Sequence, residues 1–429
     1  MRNRKVVRGA VALSVSLATV AALAGCGSSA KGGGAGDGGL EILTYWTAGA
    51  ESEALSTMVD HYMAENPDAK KPTVAAIAGD GGENAQAALQ SRLAGGNPPD
   101  TWQTSAGYGV SMYTDADLLQ DLTPLYEKEG WAEDLPADVI DASTVDGKIY
   151  GAVSNVHRSN TLWYNVPLIK KIGADPDSFK SLADVIDLAP KIEAEGASTL
   201  CMAGQNGYGG RVLYENLLFA ALGPDDWPAL FDGSIGWDDP RIVQATKLFV
   251  DSIPVWNRDN ASLNWPDAVA PVGDGGCAFT VMGDWTYGQL LLNGFEYEKD
   301  FDYALFPGSK GTFFGNIDLF VVSKNAPNPE NAEAWVRTVN DPEAQVDFSE
   351  IKGSVPVRSD ADLSSLSPYQ QETAKLFQTQ KRGWSFQQGN MASADYVQQF
   401  TDQMTLLTNN HDVDAFISAM SAVADQQGE

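Results

Sequence analysis

Strand-like and helix-like segments alternate along the chain from residue 40 onward, and this alternation restricts the fold more than any other feature. Residues 40–46 read as a strand and 51–66 as a helix with apolar positions at Leu55, Val59, Tyr62 and Met63. A strand over 73–77, a helix over 84–94 and a short strand over 100–103 follow. A strand, a helix and a further strand in succession lay helices on the faces of a sheet, so an α/β architecture is expected. The roughly 390 residues beyond position 39 exceed what one hydrophobic core serves, which implies two lobes. Two extended runs, 147–153 and 161–165, flank the polar stretch 155–160, and helices dominate 168–251 with breaks at Pro190, Pro224 and Asp232-Gly233. The chain is expected to cross between lobes at 155–160, again at 303–308 ahead of the apolar run 317–322, and a third time at 351–355. These crossings divide it into one lobe of 40–152 plus 304–350 and another of 153–303 plus 351–429.

The N-terminus has a different character. Arg2, Arg4, Lys5 and Arg8 lead into an apolar run over 11–24 that ends in Leu23-Ala24-Gly25-Cys26. The run is shorter than the roughly 20 residues of a membrane-spanning helix, and small residues precede the cysteine as a signal peptidase requires. A lipoprotein signal peptide over 1–25 is expected, with Cys26 as the acylated first residue of the mature chain. Two acyl chains suffice for stable attachment to a bilayer. Residues 26–39, rich in Gly and Ser, then read as a flexible linker.

Loss of the four basic leader residues moves the formal net charge from −29 to about −33. No basic cluster exceeds Lys70-Lys71 or Lys381-Arg382, which argues against a nucleic-acid partner. Cys201 and Cys277 each adjoin a short apolar run, and in an exported domain a disulfide between them is expected, two buried free thiols being the alternative. Two thiols alone make a poor zinc site, only three histidines exist (His61, His157, His411), and no phosphate-binding loop or nucleophile elbow is present. No metal, cofactor or catalytic residue is expected.

Aromatic residues do recur beside polar ones: Tyr45-Trp46 with Glu51, Trp102-Gln103, Trp265-Pro266-Asp267 and Gly283-Asp284-Trp285. Sugars suit that mixture, because carboxylates and amides meet hydroxyls while flat rings stack on C–H faces. Core packing is the competing explanation for any single tryptophan, and helix capping the competing one for Glu51 and Asp284.

Several stretches occur together in one order: Gly95-Gly96-Asn97-Pro98-Pro99-Asp100-Thr101-Trp102-Gln103, His157-Arg158-Ser159-Asn160 with Trp163-Tyr164, Leu222-Gly223-Pro224-Asp225-Asp226-Trp227, Val281-Met282-Gly283-Asp284-Trp285 and Lys352-Gly353-Ser354. With these the chain, from residue 40 to its end, resembles the bacterial glucose-binding proteins of extracellular solute-binding family 1, the maltodextrin-binding-like receptors of ABC importers. The resemblance implies a two-lobed periplasmic-binding-protein-like fold of type II with hinge-crossing strands, and a ligand in the cleft between lobes. It implies Trp46 as a stacking aromatic, Glu51 as a hydroxyl acceptor, Gln103 as a cleft amide and His157 at the first crossing. Asp284 would be the principal carboxylate of the second lobe, with Trp285 beside it and Trp265 and Trp227 lining that lobe. Asp318 would face the cleft from the first lobe, and Lys352 would donate to a hydroxyl.

The chain departs from that pattern at Ser105 and at Gln388-Gly389, where the glucose receptors tend to carry histidine. The hydrogen-bonding set is thereby altered and room is left for a second ring. The expected partners are a mono- or disaccharide, a glucose-like hexose first, and the permease subunits of an ABC importer, with the receptor a membrane-anchored monomer. A polyamine receptor, since cations also sit on aromatic faces, and a glycoside hydrolase using Glu51 and Asp284 are the alternatives.

Overall fold

The computed structural model describes residues 38–427, apart from 48, 80 and 81. The expected signal peptide, Cys26 and nearly all of the expected linker therefore lie outside the described residues. No helix among the described residues is long and apolar enough to cross a membrane.

The first strand, β1 (Gly39–Thr44), shows how the sequence builds a sheet centre. Leu40, Ile42, Leu43 and Thr44 are buried, and the strand pairs in parallel with β2 (Lys70–Ala76) and with β3 (Thr101–Ser105). The helix Gly49–Glu65 links β1 to β2 and turns Ala50, Ala54, Leu55, Met58, Val59 and Tyr62 inward, a stripe at helical spacing that caps one face of the sheet. A small ribbon, β4 (Thr144–Val145) with β5 (Lys148–Ile149), precedes β6 (Gly151–Arg158), which is buried along its whole length.

Four strands form a second sheet: β7 (Thr161–Asn165), β8 (Ser198–Leu200), β9 (Cys277–Val281) and β10 (Phe301–Leu305), in the order β10-β7-β9-β8. Cys201, just after β8, is disulfide-bonded to Cys277 at the start of β9, with Cα atoms 6.0 Å apart. The chain then returns to the first sheet through β11 (Thr312–Val322), antiparallel to both β3 and β6 and parallel to β12 (Lys381–Trp384). Each sheet has its own hydrophobic core, one containing Trp46, Trp102, Trp335 and Phe320, the other Trp163, Trp227, Trp237 and Phe279.

The two sheets divide the chain at other positions than 152/153 and 350/351. β6 pairs with β11 from Gly151 through Arg158, so the first crossing comes at Ser159 and Asn160. The second lies between β10 and β11, over 306–311. At 351–355 the chain does not leave the first lobe: Val355 bridges to Val156 of β6, Val355 and Val357 are buried in the first core, and β12 pairs with β11. Tyr369 reaches into the second core, against Trp163 and Tyr287, while Ala374 and Phe377 remain in the first; from Phe386 onward the buried apolar side chains belong to the second. The apolar side chains around 355 match the existing edge beside β6, and hydrophobic burial holds the segment there.

The first two crossings are clamped together. Asn160 donates from Nδ2 to Ser309 Oγ at 3.0 Å and accepts on Oδ1 from the Phe314 amide and from Arg158 Nε, both at 3.1 Å. Arg158, fully buried, also donates to the Thr312 carbonyl and to Gln380, and its guanidinium lies 5.3 Å from the centre of the Phe313 ring. Burying a guanidinium is costly without such partners, so Arg158 ties the crossing strands rather than facing the cleft.

Candidate functional site

A cavity of 370 Å³ lies between the two cores. From the first lobe, residues following β1 contribute Tyr45, Trp46 and Glu51, strands β6 and β11 contribute His157, Asn316 and Asp318, and the last residue of the helix Pro342–Lys352 contributes Lys352. From the second come Tyr208, Trp265, Trp285 and Gln388.

Local sequence explains these placements. Asn316 and Asp318 stand two apart on β11, so both point to one face of the strand. The helix Pro342–Lys352 ends on Gly353, whose φ of +87° favours glycine and whose missing side chain admits the Asp284 carbonyl. That stop leaves Lys352 against the helix Gly49–Glu65. Trp265 opens the helix Trp265–Asp274, capped by Asn264, whose side chain accepts from the Asp267 amide at 3.0 Å. Trp285 folds back over Gly283, where any side chain would collide with its ring.

The first-lobe wall is an ionic network. Lys352, 1% exposed, donates to Glu51 Oε1 at 3.0 Å, and its ammonium sits 3.9 Å from the centre of the Trp46 ring. His157 lies between two carboxylates. Its Nδ1 makes a short contact with Asp284 Oδ1, and its Nε2 is 3.3 Å from Asp318 Oδ2. Burial works against a charged imidazole, but Asp284 and Asp318 outweigh it and hold the His157 pKa above its ordinary value. Burial likewise works against an ionised Asp318, and is outweighed by His157, Lys352 and Asn155, which together hold its pKa below the usual carboxylate range. Each carboxylate lining the cavity, Glu51 and Asp318, therefore has a cationic partner within the wall.

The second-lobe wall is aromatic and amide. The Trp285 ring meets the His157 ring edge-on, with centroids 5.1 Å apart and planes at 87°. Gln388 donates from Nε2 to the Tyr208 hydroxyl at 3.0 Å.

The family model described as bacterial extracellular solute-binding protein matches residues 57–379. The chain belongs to this family of solute-binding proteins. An uncharacterized ABC transporter extracellular-binding protein of Pyrococcus horikoshii is 34% identical over 340 residues, covering 78% of this chain and 75% of that one. A probable sugar-binding periplasmic protein of Mesorhizobium japonicum is 30% identical over 328 residues, covering 75% of this chain and 76% of its own. Among solved structures, a bacterial solute receptor described as preferring β-D-galactopyranose superposes with a TM-score of 0.78 at 16% identity, covering 91% of this chain and 99% of that one. That likeness establishes the two-lobed α/β fold of this solute-binding protein.

Eight of the residues expected at the site line the cavity: Trp46, Glu51, His157, Trp265, Trp285, Asp318, Lys352 and Gln388. Three do not. Asp284 is fully buried, with one carboxylate oxygen engaged by His157 and the other accepting from the Arg158 amide at 2.8 Å. It stands at the cap position of the helix Trp285–Leu292 yet makes no cap bond, its charge turned instead to the crossing strand. Trp227 is in the second core, its ring against Phe219, Phe231 and Phe314 and its indole N–H donating to the Trp384 carbonyl at 2.8 Å. Core packing is what holds it. Gln103 lines an adjoining chamber, its Oε1 accepting from Thr44 Oγ1. Trp46 lines the cavity with a ring face already occupied by Lys352, and Phe348 and Phe320 pack around it, so it serves as a platform for the lysine.

Asn316 and Tyr208 line the cavity without having been singled out in the sequence. Asn316 could have been found from its spacing to Asp318 on a strand. Tyr208 had no local signal.

Proposed function

We propose that this solute-binding protein is an extracytoplasmic sugar receptor of an ABC importer, held at the membrane by an acylated Cys26 and acting as a monomer. A mono- or disaccharide, with a glucose-like hexose first, is captured between the lobes and handed to the permease. The observation that carries this reading is the juxtaposition of an ion-paired wall from one lobe and an aromatic and amide wall from the other around one cavity. Hydroxyl groups suit the first wall and the C–H face of a pyranose suits the second.

A neutral ligand fits better than a polyamine, because Glu51 and Asp318 are already matched by Lys352 and His157. Asn316 Oδ1 is buried with no partner among the described residues, and an acceptor in that state favours a ligand bearing a donor such as a hydroxyl. A hydrolase needs two carboxylates flanking a scissile bond, whereas Asp284 is enclosed with both oxygens bonded. The sugar-binding name of the Mesorhizobium relative agrees with this assignment.

Binding is expected to draw the lobes together by rotation about the clamped crossings, and the permease then reads the closed surface. A thermal-shift screen with glucose, galactose, xylose, maltose and cellobiose tests the assignment. At least one sugar raises the melting temperature, with little dependence on salt. Stabilisation by spermidine alone, abolished by salt, overturns it.

A further inference from the structure

Beside the 370 Å³ cavity lies a second chamber of 150 Å³, and Tyr45, Tyr208 and Gln388 line both. The chamber adjoins the main cavity along those three side chains. Four observations point to an occupant. Gln103 is 5% exposed and lines the chamber, its Oε1 is satisfied by Thr44 Oγ1, and its Nε2 has no partner among the described residues. A buried amide donor left so is costly, and a ligand oxygen would satisfy it. Second, Ser105 is flanked by two glycines, Gly109 and Gly389: a Cβ at either would stand 3.4 Å and 3.8 Å from that of Ser105, so small residues from three positions keep the space open. Third, Tyr108 is 48% exposed and also lines the chamber, an aromatic ring unusually free for a large apolar side chain. Fourth, no carboxylate among the described residues lines the chamber, whereas Arg211 does.

We infer that this chamber is a second subsite, taking the next ring of a disaccharide or longer oligosaccharide whose first ring occupies the larger cavity. This rests on the sugar-receptor reading above. Gln103 donates to an oxygen of that second ring, Tyr108 offers it a stacking face, and Gln388 stands where the two rings join. A sugar suits a lining in which amides, hydroxyls and aromatic rings stand beside the Arg211 guanidinium, which can donate to a hydroxyl oxygen.

Calorimetry on the full chain with glucose, maltose and cellobiose tests this, using the wild type, Ser105→Trp, which fills the chamber, and Tyr108→Ala, at an exposed position where folding is undisturbed. One of the disaccharides is expected to bind at least about tenfold more tightly than glucose. Ser105→Trp should weaken that disaccharide by about tenfold or more, and Tyr108→Ala by about fivefold, with glucose affinity within about twofold of wild type for both. Glucose binding tighter than either disaccharide, or variants that weaken glucose and disaccharide equally, would overturn the second subsite while leaving the sugar receptor standing. No binding of any of the three sugars to the wild type overturns the second subsite, and the sugar-receptor reading falls with it when galactose and xylose fail to bind as well.

Discussion

The two walls of the cavity solve different problems. The first-lobe wall is charged yet matched: Lys352 with Glu51, and His157 with Asp318 and, from the second lobe behind the cavity, with Asp284. The second-lobe wall presents Trp265, Trp285, Tyr208 and Gln388, whose hold on a ligand comes from shape and stacking. A network of buried charges is rigid and costly to disturb, whereas aromatic contacts are individually modest. Direction is therefore expected from the first wall and tolerance among related sugars from the second.

The sharpest way to break the contrast is to separate site tryptophans from core tryptophans. Trp227→Ala should cost about 3–5 kcal/mol of unfolding free energy, measured by denaturant titration, and leave sugar affinity near wild type. A large affinity loss at unchanged stability would put Trp227 on the aromatic wall after all. Next in size is the double variant Cys201→Ser/Cys277→Ser. The bond closes a loop of 76 residues, and the chain-entropy estimate for such a loop is about 4 kcal/mol. Calorimetric melting should show that loss in the second lobe, behind the aromatic wall, with the first-lobe core unaffected.

Lys352→Met tests the ionic wall directly. It strands Glu51 and strips the cation from the Trp46 ring, and sugar affinity by calorimetry should fall about hundredfold. Trp265→Ala should cost only about tenfold, chiefly through faster dissociation in stopped-flow measurements. Equal losses for the two variants would erase the difference between the walls.

The smallest effect is a pH dependence. The folded His157 pKa lies above its ordinary value, so its protonated form contributes fully below the ordinary imidazole pKa of about 6.5, and that contribution is lost as pH rises through the folded value. Asp318, held low, acts in the opposite sense: its contribution is present above the ordinary carboxylate pKa and is lost as pH falls through the folded value. Melting temperature should therefore decline on the alkaline side of about 6.5 by a few degrees, and Asp284→Asn should flatten that decline. An unchanged slope in Asp284→Asn would show that Asp284 does not hold the proton on His157.

Much of this was legible in the chain itself. β1, the helix Gly49–Glu65 and β11 each carry a periodicity that specifies both their type and their buried face, and the Met-Gly-Asp-Trp and His-Arg-Ser-Asn stretches pointed to residues that meet between the lobes. Asp284 shows where such reading stops. An acid beside a tryptophan after a strand looks the same whether it faces a ligand or a neighbouring histidine, and only the arrival of β6 from elsewhere in the chain turns it inward. Trp227 likewise looks like a site residue until Phe219, Phe314 and Trp384 close around it. Tyr208 reaches the cavity only because its helix is laid across the second lobe.

By itself the sequence determined the α/β alternation, the two-core organisation and the kind of side chain available for a ligand, because these follow from local periodicity and composition. The tertiary structure alone decided which acid points at solvent and which at an imidazole, where the chain passes from one sheet to the other, and that a second chamber opens beside Ser105. Those depend on distances between residues more than a hundred positions apart, such as His157 and Asp284 or Ser105 and Gly389, and such distances are set by how the lobes pack rather than by any local stretch of chain.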